Sequence, residues 1–200
     1  MTLAAHPSED QPQLRTARLL LRRWTDADRE PFAVMNADPR VMEHFPGLVT
    51  RSDSDAFADR IDQHFRDHGF GLWAVEPLPG QAVYGFMGFV GLAVPGFEAP
   101  FTPCVEVGWR LRHDAWGHGY ATEAAQAALT YGFDVVGLPQ VVSFTTVANL
   151  RSRAVMERLD MSHDPADDFD HPRLPAGDPI RPHVLYRLPR ERWRQRAGAQ

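Results

Sequence analysis

The sequence of 200 residues has no lysine, and each of its 21 basic residues is an arginine. Without an ε-amine, the chain cannot form a Walker phosphate loop, a lysine Schiff base or the lysine–glutamate pair of protein kinases. It also has a single cysteine, Cys104. One cysteine excludes an internal disulfide and a cysteine zinc cluster, and it favours a reducing, cytoplasmic compartment.

Excess positive charge and long apolar runs are also missing. The 21 basic and 26 acidic residues give a net charge of −5, which argues against nucleic-acid binding because that binding depends on excess positive charge. No stretch approaches the roughly 18 apolar residues of a membrane span, and the polar start lacks the features of a secretion signal. We therefore expect no nucleic-acid partner and no membrane, with a flexible segment over residues 1–13.

Hydrophobic patterning predicts one α/β (α+β) domain with a mixed sheet. The predicted strands cover residues 18–24, 71–76, 83–94, 105–111, 140–147 and 183–188, and the predicted helices cover residues 26–37, 52–68, 120–133 and 149–159. The second helix is expected to bury Ala56, Ile61 and Phe65 along one stripe. The unit of strand, glycine turn, helix and strand over residues 105–147 makes its two strands parallel, with a right-handed connection.

The glycine turn of this unit contains Gly117, His118 and Gly119. Unpaired backbone N–H groups and the positive end of a helix dipole meet there, which favours phosphate or pyrophosphate binding; an ordinary tight turn is the alternative. A dinucleotide fingerprint needs a third glycine where Thr122 stands, and an acidic residue about twenty positions further on, where valines stand. A pyrophosphate held by backbone amides alone suits a coenzyme such as CoA better than a nucleoside triphosphate.

Several runs of the sequence resemble one family. EVGWRL, AWGHGYATEA and NLRSRAVMERL resemble the GNAT superfamily of acyl-CoA-dependent N-acetyltransferases. The opening LRTARLLLRRWTDAD and the ending FDHPRLPAGDPIRPHVLYRL resemble its branch of ribosomal-protein N-terminal (alanine/serine) acetyltransferases. The resemblance implies one N-acetyltransferase domain over residues 14–188, followed by a basic C-terminal tail over residues 189–200. It further implies a mixed, mostly antiparallel sheet with splayed parallel central strands flanked by helices, and it is compatible with a homodimer.

The resemblance also implies which residues bind acetyl-CoA, as a co-substrate and without a metal. The family's phosphate loop falls on residues 116–121, with Trp116 in place of the usual polar first residue. The backbone before the loop is implied to pair with the pantetheine arm, and Asn149 is implied to reach that arm or to cap a helix. The implied cofactor-binding set is Trp109, Arg110, Leu111, Gly117, His118, Gly119, Tyr120, Ala121, Thr122 and Asn149.

Glu106 is the candidate proton acceptor, because it lies on the strand beside the expected thioester. The alternative is a solvated strand residue, or one that is ion-paired with Arg110 on the same face. The resemblance implies direct transfer, with an oxyanion donor among the backbone N–H groups of residues 107–109. Gly108 is expected to mark a β-bulge that exposes this donor.

The candidate for stabilising the leaving thiolate is Ser152, which by resemblance lies near the CoA sulfur. Its alternative is an ordinary serine of a helix first turn. Met156 stands where many relatives have a tyrosine that acts as an acid. Two histidine segments are weaker candidates: His44 in the acceptor region, and His171 with its neighbouring aspartate.

The sequence therefore predicts an N-acetyltransferase that moves acetyl from acetyl-CoA to a primary amine of a small molecule or a protein N-terminus. A non-catalytic acyl-CoA-binding module is the first alternative, and an α/β protein that binds another phosphate ligand or a nucleotide is the second. Because the chain has no lysine, its own α-amino group is its only self-substrate.

Overall fold

A computed structural model describes residues 13–81 and 83–197, so the segment predicted to be flexible lies, except for Gln13, outside the described residues. Over the described ranges, nine strands form one sheet. Their bounds are β1 (Leu14–Arg15), β2 (Leu19–Arg22), β3 (Leu72–Pro77), β4 (Gly88–Ala93), β5 (Glu106–Leu111), β6 (Gln140–Thr146), β7 (Ser162–His163), β8 (Phe169–Asp170) and β9 (Pro182–Pro189).

The α-helices lie on both faces and at one end of this sheet. They are α1 (Arg29–Asn36), α2 (Arg51–His68), α3 (Tyr120–Thr130), α4 (Leu150–Arg158) and α5 (Arg190–Ala197), and a π-helical turn (Tyr131–Val136) continues α3. Local sequence explains the ends of α2: the Thr50 side chain accepts a hydrogen bond from the Asp53 N–H at its start, and Gly69 at its end adopts a left-handed φ of 75°.

The strand order is β1-β2-β3-β4-β5-β6-β9-β7, with β8 added to β9. Every pairing is antiparallel except that of β5 with β6, which is parallel and consists of one register pair, Glu106 with Val142. This mixed, mostly antiparallel sheet with splayed central strands confirms the predicted fold class. The expected bulge at Gly108 is wrong, because β4 and β5 pair one to one from Ala93 with Glu106 to Gly88 with Leu111. The sheet opens instead because β5 and β6 diverge.

Alternation along β5 gives the sheet two distinct faces. Val107 and Leu111 are buried in a core that includes the apolar side chains of α3 and α4. Glu106, Gly108 and Arg110 lie on the opposite face. That face also carries Phe89, the register partner of Arg110, and its core includes apolar side chains of α1 and α2.

Some predicted elements differ in detail from the structure. Ala56 is exposed and Ala58 takes its place on the buried stripe of α2, beside Ile61 and Phe65. β4 begins at Gly88 rather than at residue 83, because Gly85 (φ 67°) and Gly88 (φ 132°) depart from extended backbone.

The chain end contains more structure than a tail. Residues 190–197 form α5, and Trp193 packs against Phe133 with ring centroids 5.6 Å apart. This contact attaches the basic segment to the core that contains α3. Residues 198–200 lie outside the described part of the chain.

Candidate active site

A cavity of about 1150 Å³ runs through the opening between β5 and β6. Its walls come from both faces of the sheet: Trp109 and Leu111 line it from one, and Glu106 and Arg110 from the other. The glycine turn, the first turn of α4 and the loop between α1 and α2 add to the lining. Two ligands that enter from opposite faces can therefore meet inside one cavity.

The glycine turn has the geometry of an anion cradle. Gly117 and Gly119 have φ angles of 79° and 78°, which L side chains rarely adopt, and Gly119 is the N-cap of the 11-residue helix α3. A Cβ atom at Gly117 would meet nothing within 4 Å, so the space above the turn is open. All six residues predicted to bind pyrophosphate, 117–122, line the cavity at the positive end of α3. The residues present therefore fit a pyrophosphate group.

Arg18 supports this turn from β1–β2 and was missed in the sequence. Its Nη1 donates to the His118 carbonyl oxygen at 2.9 Å and its Nε donates to Glu123 Oε2 at 2.6 Å. The Thr16 hydroxyl and the Arg18 backbone N–H donate to Glu123 Oε1. Burial opposes ionisation of Glu123, but these hydrogen bonds outweigh it and lower its pKa. The two partners are 105 residues apart, so no local pattern signals the contact.

The divergence of β5 from β6 leaves part of β5 unpaired. The Val142 N–H donates to the Val105 carbonyl oxygen at 2.9 Å. Two residues further along β5, the Val107 carbonyl oxygen accepts from the Ser143 hydroxyl at 2.8 Å instead of from a backbone N–H. Odd-numbered residues of β5 thus direct their backbone polar groups toward β6, and the N–H of Trp109 points into the gap. An extended ligand could pair with this edge as an added strand.

Asn149 and Ser152 are held together at the start of α4. Asn149 Oδ1 accepts from the Ser152 N–H at 3.1 Å, so the alternative of a helix cap is confirmed. Asn149 Nδ2 donates to the hydroxyl oxygens of Thr145 and Ser152, at 3.0 and 3.2 Å. Trp109 Nε1 also donates to Ser152 Oγ at 3.2 Å. With two donors on its oxygen and no acceptor among the described residues, the Ser152 O–H is free to donate into the cavity.

The carboxylate of Glu106 lies beside Gly108, 3.6 Å from the position a Cβ there would take. Across the described residues no hydrogen bond or ion pair holds it, and burial raises its pKa to about 8. The alternative of an ion pair with Arg110 is wrong, because Arg110 Nη1 donates to Asn36 Oδ1 at 2.7 Å. A carboxylate whose pKa lies close to neutrality is suited to accepting a proton.

The wall of the cavity on the Glu106 face is aromatic. Phe144, His171 and His183 line it near β6, with the two imidazole ring centroids 5.0 Å apart, and burial lowers the pKa of both histidines. His44 lines it from the loop between α1 and α2. Asp170 lies outside the lining and forms an ion pair with Arg181 at 3.1 Å, so the structure does not join Asp170 and His171 in one site.

Within residues 13–81 and 83–197, no group of three or more histidine, cysteine, aspartate or glutamate side chains is placed to hold a metal ion. The same residues contain no helix with the length and apolar character needed to cross a membrane.

Solved structures share this architecture. An acetyltransferase from Agrobacterium tumefaciens is 27% identical and covers 94% of this chain and 99% of its own, with a TM-score of 0.70. A spermidine N-acetyltransferase from Vibrio cholerae, solved with CoA and spermine, has a TM-score of 0.68 over 89% of this chain and 99% of its own; at 16% identity it shows the fold alone. The fold is that of an acetyltransferase.

The family follows from sequence comparison. The sequence-family model of the acetyltransferase (GNAT) domain matches residues 18–162, so the chain belongs to the GNAT acetyltransferases. The FsC-acetyl coenzyme A-N(2)-transacetylase of Aspergillus fumigatus is 32% identical over 196 residues, which cover 92% of this chain and 78% of that relative. These findings confirm the predicted family and enzyme class, and they set aside the nucleotide-binding alternative. The ribosomal-protein branch stays a prediction.

Proposed function

We propose that this protein transfers an acetyl group from acetyl-CoA to a primary amine by direct attack in a ternary complex. The amine belongs to a small molecule or to a protein N-terminus. One observation carries the proposal: the gap between β5 and β6 opens a single cavity to Glu106 on one face and to Ser152 on the other. Donor and acceptor can thus occupy the cavity together.

Different cofactor-side residues bind different parts of acetyl-CoA. The amides of residues 117–122 and the N-terminus of α3 hold the pyrophosphate. The free edge of β5 over residues 109–111 pairs with the pantetheine arm, and Asn149 contacts that arm from the start of α4. Acetyl-CoA itself supplies an activated thioester.

The acceptor-side residues handle the proton. The amine nitrogen forms a bond to the acyl carbon, the C–S bond breaks, and its electron pair leaves on sulfur. The proton lost by the nitrogen goes to the Glu106 carboxylate. A β5 N–H over residues 107–109 stabilises the developing charge on the acyl oxygen, and the free O–H of Ser152 donates a hydrogen bond to the departing sulfur.

The names of relatives support an amine acceptor without choosing one. The Aspergillus relative is named as an N(2)-transacetylase, and the Vibrio structure as a spermidine N-acetyltransferase. The resemblance of both chain ends to ribosomal-protein acetyltransferases adds a finer proposal, a peptide N-terminus that begins with alanine or serine. The single cysteine supports a cytoplasmic location, and the family resemblance supports a homodimer.

Release of free CoA from acetyl-CoA, measured with a panel of amines, tests the proposal. The panel includes peptides that begin with alanine or serine, spermidine and free amino acids, and calorimetry measures acetyl-CoA binding beside ATP and NAD. We expect acetyl-CoA to bind and at least one amine to be acetylated. Binding without turnover on every amine would instead favour the non-catalytic module, and tight binding of a nucleotide but not of acetyl-CoA would overturn both.

A further inference from the structure

Arg110 is a cation in the cavity wall that no carboxylate among the described residues neutralises. Its guanidinium lies over the Phe45 ring at 4.1 Å, with Phe89 and Phe57 at 5.5 and 5.9 Å. Its one hydrogen bond in the described structure joins Nη1 to the amide oxygen of Asn36, and its buried Nε has no partner there. Burial lowers the pKa of Arg110 to about 10, so the group still carries its charge at neutral pH.

Arg22, another partly buried arginine, differs from Arg110 because two carboxylates pair with it. Arg22 donates to both oxygens of Asp28, at 2.7 and 2.8 Å, and to Glu76 at 2.9 Å. A charge that is withdrawn from water without an opposite charge is costly. Arg110 bears this cost beside an open cavity, where a ligand can supply the missing anion.

We propose that Arg110 is the anion-binding residue of the acceptor site and that the acceptor is an amine carrying a carboxylate. The planar guanidinium, fixed by flanking rings and by Asn36, leaves Nη2 to donate to a carboxylate oxygen of a ligand. The role of the amine rests on the proposed acetyl transfer, whereas the binding of the carboxylate does not depend on it.

The direction of the Arg110 side chain assigns the guanidinium to the acceptor, whereas the free backbone edge of β5 is left to acetyl-CoA. Its side chain is on the same face of β5 as Glu106, whereas Trp109 and Ser152 meet on the other face. The Glu106 carboxylate leans over Gly108, two residues from Arg110. An amine at Glu106 and a carboxylate at Arg110 would therefore occupy the same stretch of cavity.

The charges that line the cavity agree with an anionic acceptor. Five arginines and one glutamate line it in the described structure: Arg40, Arg110, Arg151, Arg158, Arg173 and Glu106. Arg40 and Arg151 already have carboxylate partners, Asp38 at 2.7 Å and Glu43 at 2.6 Å. The remaining positive charge favours ligands of negative charge.

The test compares ω-aminocarboxylates of two to eight carbons with n-alkylamines of equal length as acceptors. Because a hydrogen-bonded charge pair discriminates strongly, we expect kcat/KM to favour the aminocarboxylate of the best length by about tenfold or more. Arg110→Met should abolish this preference. Asn36→Asp should abolish it too, since an internal carboxylate would then occupy the guanidinium. Arg66→Met, which removes an exposed arginine of α2 outside the cavity lining, is the matched control, and it should leave the preference ratio unchanged.

A second measurement needs no acetyl transfer. Carboxylates that lack an amine, from butyrate to octanoate, should raise the thermal midpoint of the wild-type protein with acetyl-CoA bound, but not those of Arg110→Met and Asn36→Asp. If this shift occurs and no amine is acetylated, the carboxylate site stands and the proposed function fails. Equal use of both acceptor series without a thermal shift would overturn the inference, as would a loss of acetyl-CoA affinity in Arg110→Met.

Discussion

The two faces of the opened sheet are prepared in different ways. On the cofactor face, polar side chains satisfy one another: Trp109, Asn149 and Ser152 form one network, and Arg18 with Glu123 supports the phosphate turn. On the acceptor face, Glu106 has no polar partner among the described residues and Arg110 has only an amide. Hydrogen bonds within the cofactor face hold its side chains in place before acetyl-CoA binds. On the acceptor face, polar groups without protein partners are available to the substrate. The comparison predicts that substitutions at the phosphate turn change the acetyl-CoA Kd, whereas substitutions on the acceptor face change kcat or the choice of acceptor.

The largest effect is expected for Glu106→Gln. Without the proton acceptor, kcat should fall about 10² to 10³-fold, while the acetyl-CoA Kd changes less than about twofold, equal to ~0.4 kcal/mol. The wild-type kcat/KM should rise with pH through about 8, because Glu106 accepts a proton only after it ionises and burial has raised its pKa to that value. The part of that rise that comes from Glu106 should vanish in the variant.

Asp170→Asn is the control, since Asp170 is paired with Arg181 outside the cavity, and it should keep the wild-type pH profile. The acceptor's own ionisation contributes equally to all three proteins. An unaltered rise in Glu106→Gln would remove Glu106 as the base.

Gly119→Asp should act on the cofactor face alone. A carboxylate at the N-terminus of α3 competes with the pyrophosphate, and the φ of 78° strains any side chain. We expect the acetyl-CoA Kd, measured by calorimetry, to rise about hundredfold. Gly177→Asp introduces the same side chain at a φ of 83°, away from the cavity lining. It should cost similar stability and leave the Kd unchanged; equal losses of affinity in both variants would contradict the assignment of the turn.

Arg18→Met tests whether the phosphate turn depends on its support. Loss of the bonds to His118 and Glu123 should raise the acetyl-CoA Kd about tenfold, with a smaller change in kcat. Arg15→Met removes an exposed arginine of β1 and should change neither constant. Arg18 would be only a stabilising residue if its variant lost thermal stability with no change in acetyl-CoA affinity.

Ser152→Ala should give the smallest change. A thiolate already leaves readily, so losing one hydrogen bond should lower kcat about three- to tenfold. Acetyl esters of more acidic thiols need less help and should reduce the difference between variant and wild type. Ser162→Ala, which removes an exposed hydroxyl on β7, should match the wild type with every donor. Should Ser152→Ala behave in the same way, the serine only completes the helix cap.

Local patterns predicted the backbone of the cofactor side well. The run from Trp109 to Thr122 combines a strand, two glycines and an alanine-rich helix, and each part signals its own conformation within a few residues. Asn149 and Ser152 are three residues apart at a helix start, so their mutual capping also follows from short-range spacing.

The acceptor side depends on contacts that sequence spacing does not encode, such as that of Arg110 with Asn36 across 74 positions. The cofactor side has one contact of this kind too, because Arg18 meets Glu123 across 105 positions. The alternative of a Glu106–Arg110 ion pair used only their shared strand face, and it failed because the aromatic rings and Asn36 hold the guanidinium elsewhere. The bulge at Gly108 failed for a similar reason, because strand divergence is a property of the whole sheet.

Because the cationic partners in the described ion pairs are arginines and histidines, no ammonium group titrates within this network between pH 8 and 10. The guanidinium groups of these ion pairs keep their charge throughout that range. They also do not compete as nucleophiles for the thioester in the alkaline buffers where Glu106 is ionised. The protein should therefore keep its arginine ion pairs during long incubation with its own acyl donor. The titration of the Glu106 carboxyl can therefore be followed to high pH, because acetylation of the protein's own side chains does not accumulate and alter the result.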